Sequence, residues 1–359
     1  MRLLQQKLIK YDAPQKTKEA GIYPYFRAIS SEQDTEVVMS GRKVLMFGSN
    51  SYLGLTNHPK VKEAAIAATQ KYGTGMAGSR FLNGTLDIHV ELEHKLAKFV
   101  GKEEAIIFSA GMLVNVGVIP ALTGKDDYII WDELNHASIV EGVRLSFSNT
   151  MKFKHNDMES LEKRLQSCNP DKIKMIIVDG VFSMEGDVTK LEEIVALAHK
   201  YNANIYVDEA HSLGVFGKNG QGVCHHLGLT SEVDLIMGTF SKSFASIGGF
   251  IATDSITANW LRHNARSYIF SASPTPAAMG AASAAPRYND ERTRTFRTSL
   301  AADTLRSRRL PLTQFRDRTH IDPDNTSIYT RQRKNLYDYS RFVRRGYIRQ
   351  SCSITCRSS

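Results

Sequence analysis

Gly238-Thr-Phe-Ser-Lys-Ser-Phe-Ala-Ser-Ile-Gly-Gly-Phe250 sets a single lysine, Lys242, among hydroxyls and small residues. An apolar, strand-like run, Val233 to Met237, precedes it, and a Gly-Gly pair follows it. Thirty-four residues upstream of Lys242, Ile205-Tyr-Val-Asp-Glu-Ala-His-Ser212 reads as a buried strand ending in Asp208. Two strand ends that present a lysine and an aspartate fit the chemistry of pyridoxal 5′-phosphate (PLP). An amine joins the cofactor aldehyde, and a carboxylate keeps the pyridine nitrogen protonated so that the ring can accept electrons. Alone, Lys242 also reads as a surface lysine and Asp208 as an ordinary strand end. Their pairing, with the motifs around them, points to the cofactor.

Between 104 and 254 short apolar runs alternate with amphipathic segments. Strands are expected at Ala105–Phe108, Asp127–Trp131, Met151–Phe153, Lys174–Val178, Asn204–Val207 and Leu235–Met237. Helices are expected after Gly111 and over Asn135–Leu145, Met158–Cys168 and Leu191–Tyr201. This alternation predicts an α/β fold with a mostly parallel sheet covered on both faces, in three layers. Ligands of such sheets sit at the carboxyl ends of the strands. Asp132, His136, Asp179, Ser183, Asp208, His211 and Lys242 all fall at or just after strand ends, as one site requires.

Each of these residue types has a use there and a plainer alternative. Gly111, opening a helix, lets backbone N–H groups approach a phosphate, or serves only the turn. His136, in Asp132-Glu-Leu-Asn-His-Ala-Ser138, can lie over the pyridine ring and help proton transfer; helix-start histidines are otherwise structural. Ser183 can hydrogen-bond the phenolic oxygen or cap a turn, and His211 can reach the same oxygen. Thr239 and Ser241 offer hydroxyls to the phosphate beside Lys242.

The flanks are simpler. Residues 1–35 read as an amphipathic helix and an irregular arm, with Ile22-Tyr-Pro-Tyr-Phe-Arg27 either crossing a dimer interface or resting on the body. Residues 37–47 read as a hairpin around Ser40-Gly-Arg42, 58–72 and 87–100 as helices, and 73–80 as a glycine-rich loop. Residues 105–122 are nearly apolar over a membrane-spanning length, yet Ser109, Gly111, Asn115, Gly117 and Pro120 interrupt them. A strand, a turn and a buried helix are expected instead. The division is 1–47, 48–285 and 286–359.

The chain has 359 residues, 42% of them hydrophobic and 23% charged, as in ordinary globular proteins. Its net charge of +9 is local: residues 287–359 carry 17 Lys+Arg against 7 Asp+Glu, which leaves residues 1–286 at −1. The body is therefore not read as a nucleic-acid-binding surface. The cysteines (Cys168, Cys224, Cys352, Cys356) lack the spacing of disulfides or a zinc site in the first 300 residues, and no metal site is expected. The N-terminal segment lacks the apolar core of a signal peptide, so a cytoplasmic location with at most peripheral membrane contact is expected.

GSNSYLGL, GTGMAGSRFLNGT, DELNHASI, VDGVFSMEGD, VDEAHSLGVFG, GTFSKSFASIGGF and RSYIFSAS together resemble the α-oxoamine synthases, a PLP-dependent family of fold type I. The likeness runs from about residue 20 to 283 and is strongest to the soluble bacterial serine palmitoyltransferases, through MFGSNSYLGLTNHPK, SRFLNGTLDIH and FKHNDMESLEK. It implies an acyltransferase working as a homodimer with shared active sites. The implied reaction condenses L-serine with palmitoyl-CoA, releasing CoA and CO2 and leaving 3-ketosphinganine. The sister reactions are those of glycine C-acetyltransferase and 8-amino-7-oxononanoate synthase. By the same resemblance Lys242 holds the cofactor, Asp208 partners its pyridine nitrogen, and His136 stacks on its ring. His211 and Ser183 contact the phenolic oxygen, and Gly111, Met112, Thr239 and Ser241 border the phosphate side. Ser271 reaches the partner subunit's phosphate, while Asn50 and Arg27 serve the amino acid. There are departures: Met112 replaces an aromatic, Met76 a cysteine and Ser212 a glycine.

After Ala285 the resemblance stops. The family's C-terminal small domain should follow, with an arginine for the substrate carboxylate. Instead residues 287–359 hold 16 Arg and 1 Lys, where the preceding residues hold 8 Arg and 21 Lys. Gly346-Tyr-Ile-Arg-Gln-Ser-Cys-Ser-Ile-Thr-Cys-Arg-Ser-Ser359 can be encoded so that reading one base later gives GIFVNPVVSPAVA, which resembles a small-domain segment. The expectation is a disrupted, frameshifted small domain, and with it a second alternative: a cofactor-binding protein without turnover.

Overall fold

The computed structural model describes residues 1–285 and the backbone of Tyr347 and Ile348. The reading of 286–359 as an out-of-frame small domain lies, those two residues apart, outside the described residues. Two units are distinguished, Met1–Ser49 with Tyr347–Ile348, and the unit that begins at Asn50.

In the first unit the expected single helix is two, α1 (Leu3–Leu8) and α2 (Ala13–Glu19), neither with a buried residue. Pro14 explains the break. Its ring and missing N–H are tolerated only in the first turn, so it restarts a helix rather than continuing one. The hairpin forms as expected, β1 (Glu36–Met39) against β2 (Arg42–Met46), with Ser40 and Gly41 both at positive φ in the turn. Tyr347–Ile348 pairs with β2 in parallel.

The second unit opens with α3 (Pro59–Tyr72) and α4 (Asp87–Val100). Then come β3 (Glu104–Phe108), α5 (Gly111–Leu122), β4 (Tyr128–Asp132), α6 (Ala137–Leu145), β5 (Asn149–Phe153) and α7 (Met158–Gln166). They are followed by β6 (Lys174–Asp179), α8 (Leu191–Tyr201), β7 (Asn204–Asp208), α9 (Val223–His226), β8 (Leu235–Thr239) and β9 (Gly249–Thr253). Last are α10 (Ser255–Asn264), α11 (Arg266–Ile269) and α12 (Pro276–Ala284). The strands form one sheet in the order β3-β9-β8-β7-β6-β4-β5. It is parallel from β8 to β5, and β9 runs antiparallel to both its neighbours.

Every residue of β6, β8 and β9 is buried, which is why the sequence of the first two reads as largely apolar runs. Side chains alternate between two cores. Ile176, Val178, Ile205, Val207 and Ile236 join residues of α4, α7, α8 and α12 on one face. Met175, Ile177, Tyr206, Leu235 and Met237 join residues of α5, α6, α10 and α11 on the other. The expected three layers are present. The apolar run 105–122 resolves as β3, a turn and α5, and no helix among the described residues is long and apolar enough to cross a membrane.

Candidate active site

The carboxyl ends of β6, β7 and β8 meet the N-terminus of α5 around a cavity of about 330 Å³. Asp179 and Asp208 are register partners at the ends of β6 and β7, so two carboxylates enter it side by side. Lys242 reaches it from the turn between β8 and β9. That turn closes with Phe240 N–H donating to the Gly248 carbonyl at 2.9 Å and Ala245 N–H to the Lys242 carbonyl at 3.1 Å. Phe240, fully buried, stacks on Phe250 with ring centroids 5.9 Å apart and anchors the loop. The Gly-Gly pair is required here. A Cβ on Gly249 would stand 2.8 Å from the Gly111 Cα, and Gly248 has φ +128°. This close approach brings the lysine loop to the start of α5.

Burial pushes the Lys242 amine below its usual pKa, against the opposing pull of Asp208 and Asp179. Burial, and then the Asp208 charge, drive Asp179 well above the ordinary carboxyl range. Asp179 accepts the His136 backbone N–H at 2.8 Å, which fixes where the next helix starts. The expected helix from Asn135 therefore begins at Ala137 with His136 as its N-cap. The His136 ring faces the cavity, and burial lowers its pKa. Burial, Lys242 and His136 together push His211 down to about 3.

Among the described residues the cavity is lined by eight of the expected ones: Gly111, Met112, His136, Asp208, His211, Thr239, Ser241 and Lys242. A Cβ on Gly111 would lie 2.6 Å from the Thr239 Oγ1, so α5 opens with bare backbone at the cavity. Three others are not among the lining residues. Ser183 is exposed in the turn after β6, Ser271 half-buried after α11, and Asn50 exposed at the start of the second unit. Arg27 belongs to the first unit, where its guanidinium donates to the Tyr23 carbonyl at 3.4 Å. Of the departures, Met112 is half-exposed at the cavity, whereas Ser212 is fully buried and donates to the Glu209 carboxylate.

Four positions hydrogen-bonded at or behind the cavity wall carry no role in the sequence reading. Asn115 donates to Asp208 Oδ2 at 2.9 Å, and it had been counted only as a break in an apolar run. Tyr206 and Ser138 hydrogen-bond that same Asn115. Tyr52, whose hydroxyl lies 2.6 Å from His211 Nδ1, stands in the quoted GSNSYLGL motif but carried no assignment.

A family model described as "Aminotransferase class I and II" matches residues 42–322. The chain is 69% identical over 282 residues to a serine palmitoyltransferase of Bacteroides ovatus, covering 79% of this chain and 72% of that one. It is 46% identical over 283 residues to an 8-amino-7-oxononanoate synthase of Treponema denticola, covering 79% and 70%. A solved variant of the serine palmitoyltransferase of S. paucimobilis, with bound PLP–myriocin aldimine, superposes with a TM-score of 0.78 at 37% identity, over 80% of this chain and 73% of that one.

Proposed function

The chain belongs to the class I and II aminotransferase family, and from that membership we propose that it binds PLP around Lys242 and condenses L-serine with palmitoyl-CoA. CoA and CO2 leave, and 3-ketosphinganine, the first product of sphingolipid synthesis, remains. The observation that carries the reading is the meeting of Lys242, Asp208 and His136 on one cavity. The preference for serine and a long acyl chain over the 8-amino-7-oxononanoate reaction is supported by 69% against 46% identity.

The residues present fit the cofactor. A buried amine and a carboxylate line the same cavity, and the α5 N-terminus offers backbone with no room for a side chain. Thr239 and Ser241 stand beside it with hydroxyls 2.9 Å apart. When bound, the cofactor supplies an aldehyde that links to amines and a protonated ring that stabilises negative charge at the amino acid's α-carbon. Lys242 is the amine that holds it and, when free, the base that takes the serine α-proton. Burial lowers its pKa, which favours the uncharged amine that can accept a proton. Asp208 holds a proton at the pyridine nitrogen. His136 would lie along the ring and His211 would reach the phenolic oxygen, with Ser183 as the second contact that the family resemblance implies. Gly111, Met112, Thr239 and Ser241 would border the phosphate, and the family resemblance makes Asn50 and Arg27 the candidates for the amino acid. The α-carbon attacks the thioester carbonyl, CoA departs, and the carboxyl is lost as CO2.

The same reading makes the protein a homodimer with shared sites, Ser271 reaching the phosphate of the partner subunit. It also makes the protein cytoplasmic, with at most peripheral membrane contact. The test is CoA release by the purified, PLP-supplied chain. L-Serine with palmitoyl-CoA should exceed glycine with acetyl-CoA and L-alanine with a pimeloyl thioester. Lys242→Ala should lose the visible absorbance of bound cofactor and at least about a hundredfold in rate. A Lys242→Ala chain that kept that absorbance would remove the assignment.

A further inference from the structure

Asn115 is the one fully buried amide in an otherwise apolar stretch of α5, and all its hydrogen-bonding capacity on the cavity side is spent. Its Oδ1 accepts from the Tyr206 hydroxyl at 2.5 Å. Its Nδ2 donates one proton to Asp208 Oδ2 at 2.9 Å and the other to Ser138 Oγ at 2.8 Å. The Tyr206 phenol is fully buried, and burial raises its pKa far enough that it stays a donor. Rotating the amide by 180° would turn Oδ1 onto the Asp208 carboxylate, lone pair against lone pair. The amide therefore has one orientation.

Two consequences follow from that orientation. Asp208 is held by one N–H on each oxygen, Asn115 on Oδ2 and Ala210 N–H on Oδ1 at 3.0 Å, so its carboxylate plane is fixed at the cavity wall. The Ser138 backbone N–H, 3.2 Å from His136 Nδ1, makes that nitrogen an acceptor, so the Ser138 hydroxyl, which accepts from Asn115, turns its own proton to the same nitrogen, 2.7 Å away. With two donors aimed at Nδ1, His136 carries its proton on Nε2.

We propose that Asn115, locked by Tyr206, is the positioning residue that orients Asp208 and, through Ser138, sets His136 as the Nε2–H tautomer. The proposal rests on the reading that Asp208 meets the pyridine nitrogen. It assigns a cofactor role to three residues, Asn115, Tyr206 and Ser138, that otherwise look like core.

The test uses the full chain. Titration of PLP by fluorescence quenching should give affinities about tenfold weaker for Asn115→Leu, the size of a lost hydrogen bond to a charged group, and a smaller loss for Tyr206→Phe. The pH midpoint of the visible absorbance of bound cofactor should move in both variants, because a loosely held Asp208 retains the ring proton less well. A merely structural role would not move that midpoint. In the cofactor-free, 15N-histidine-labelled chain, the His136 signals, assigned by their loss in His136→Asn, should be those of the Nε2–H form and should shift toward Nδ1–H in Ser138→Ala. Circular dichroism identifies a variant that fails to fold, and Tyr206→Phe, which removes one oxygen, then carries the comparison. Asp208→Asn separates the two layers. If it weakens PLP binding while Asn115→Leu and Tyr206→Phe stay within about twofold of the unchanged chain, the positioning role is overturned. An Asp208→Asn chain with unchanged affinity would instead remove the underlying assignment. A wild-type His136 protonated on Nδ1 would overturn the tautomer half.

Discussion

His211 is the residue whose protonation is most tightly constrained. Burial, the Lys242 amine and the neighbouring His136 all disfavour its charged form, and its pKa falls to about 3. A histidine in the unfolded chain titrates near 6.5. Between these values the unfolded chain binds a proton that the folded chain refuses, so stability must fall as pH drops through about 6.5 and on toward 3. Above the unfolded value the residue has no such effect. In the cofactor-free protein, His211→Asn should flatten the fall of melting temperature between about pH 7 and pH 4.5 by a few degrees. Parallel profiles for the two chains would show that His211 is not the group responsible. The same constraint keeps His211 neutral at every pH where condensation would be assayed. It can then offer one N–H and one lone pair to whatever faces it, with the Tyr52 hydroxyl held 2.6 Å from Nδ1.

The elements are held by a different device. Arg80 and Glu93 form a bidentate pair, 2.8 and 3.0 Å, with side chains only 4% and 6% exposed. Glu93 Oε1 also accepts the Ile107 N–H at 2.9 Å, which ties α4 to the middle of β3. Removing one partner leaves a buried charge uncompensated, so Arg80→Met should destabilise the chain by about 3–5 kcal/mol. Replacing both, Arg80→Met with Glu93→Leu, should recover much of that loss. Urea unfolding of the three variants checks it, and a double variant no more stable than the single would contradict the argument. Neither residue stood out in the sequence, because a charge gives no sign of burial until its partner is known. The helix and strand positions were legible wherever periodicity was strong, as in α4, α8 and the runs that became β6 and β7. Two features were hidden for identifiable reasons. The strand β9 begins inside the Gly-Gly pair, which reads as a turn, and only its antiparallel fit between β8 and β3 makes Gly249 a strand residue. Asn115 looked like a flaw in a hydrophobic helix because its partners lie 23, 91 and 93 residues away. Motif chemistry exposed residues that line the cavity; those hydrogen-bonded behind them carried no comparable sequence signature.

At the scale of the whole molecule the chain is compositionally two things. Residues 1–286 balance their charge at −1, whereas residues 287–359 carry +10 with arginine in place of nearly every lysine. The 69% identity to the B. ovatus protein runs over 282 residues, 79% of this chain and 72% of that one, and the family model matches through residue 322. A shift of reading frame would account for the change in composition, because it leaves the bases alone and replaces the residues they encode. Residues 346–359 can be encoded so that reading one base later gives GIFVNPVVSPAVA, which resembles a small-domain segment of the family. We therefore expect the gene to carry an insertion or deletion near the codon for residue 286, and sequencing across it decides the matter, an intact frame excluding the idea. The functional consequence is separable. The arginine that the family resemblance places on the substrate carboxylate would be restored with the frame, and a charge-assisted contact of that kind is worth about a hundredfold in affinity. The frame-restored chain should then raise kcat/KM for L-serine by about that factor. PLP affinity should be little changed, because Lys242, Asp208, His136 and their supports all lie before the break. A restored chain that gained PLP affinity and serine turnover together would instead place part of the cofactor site beyond residue 286.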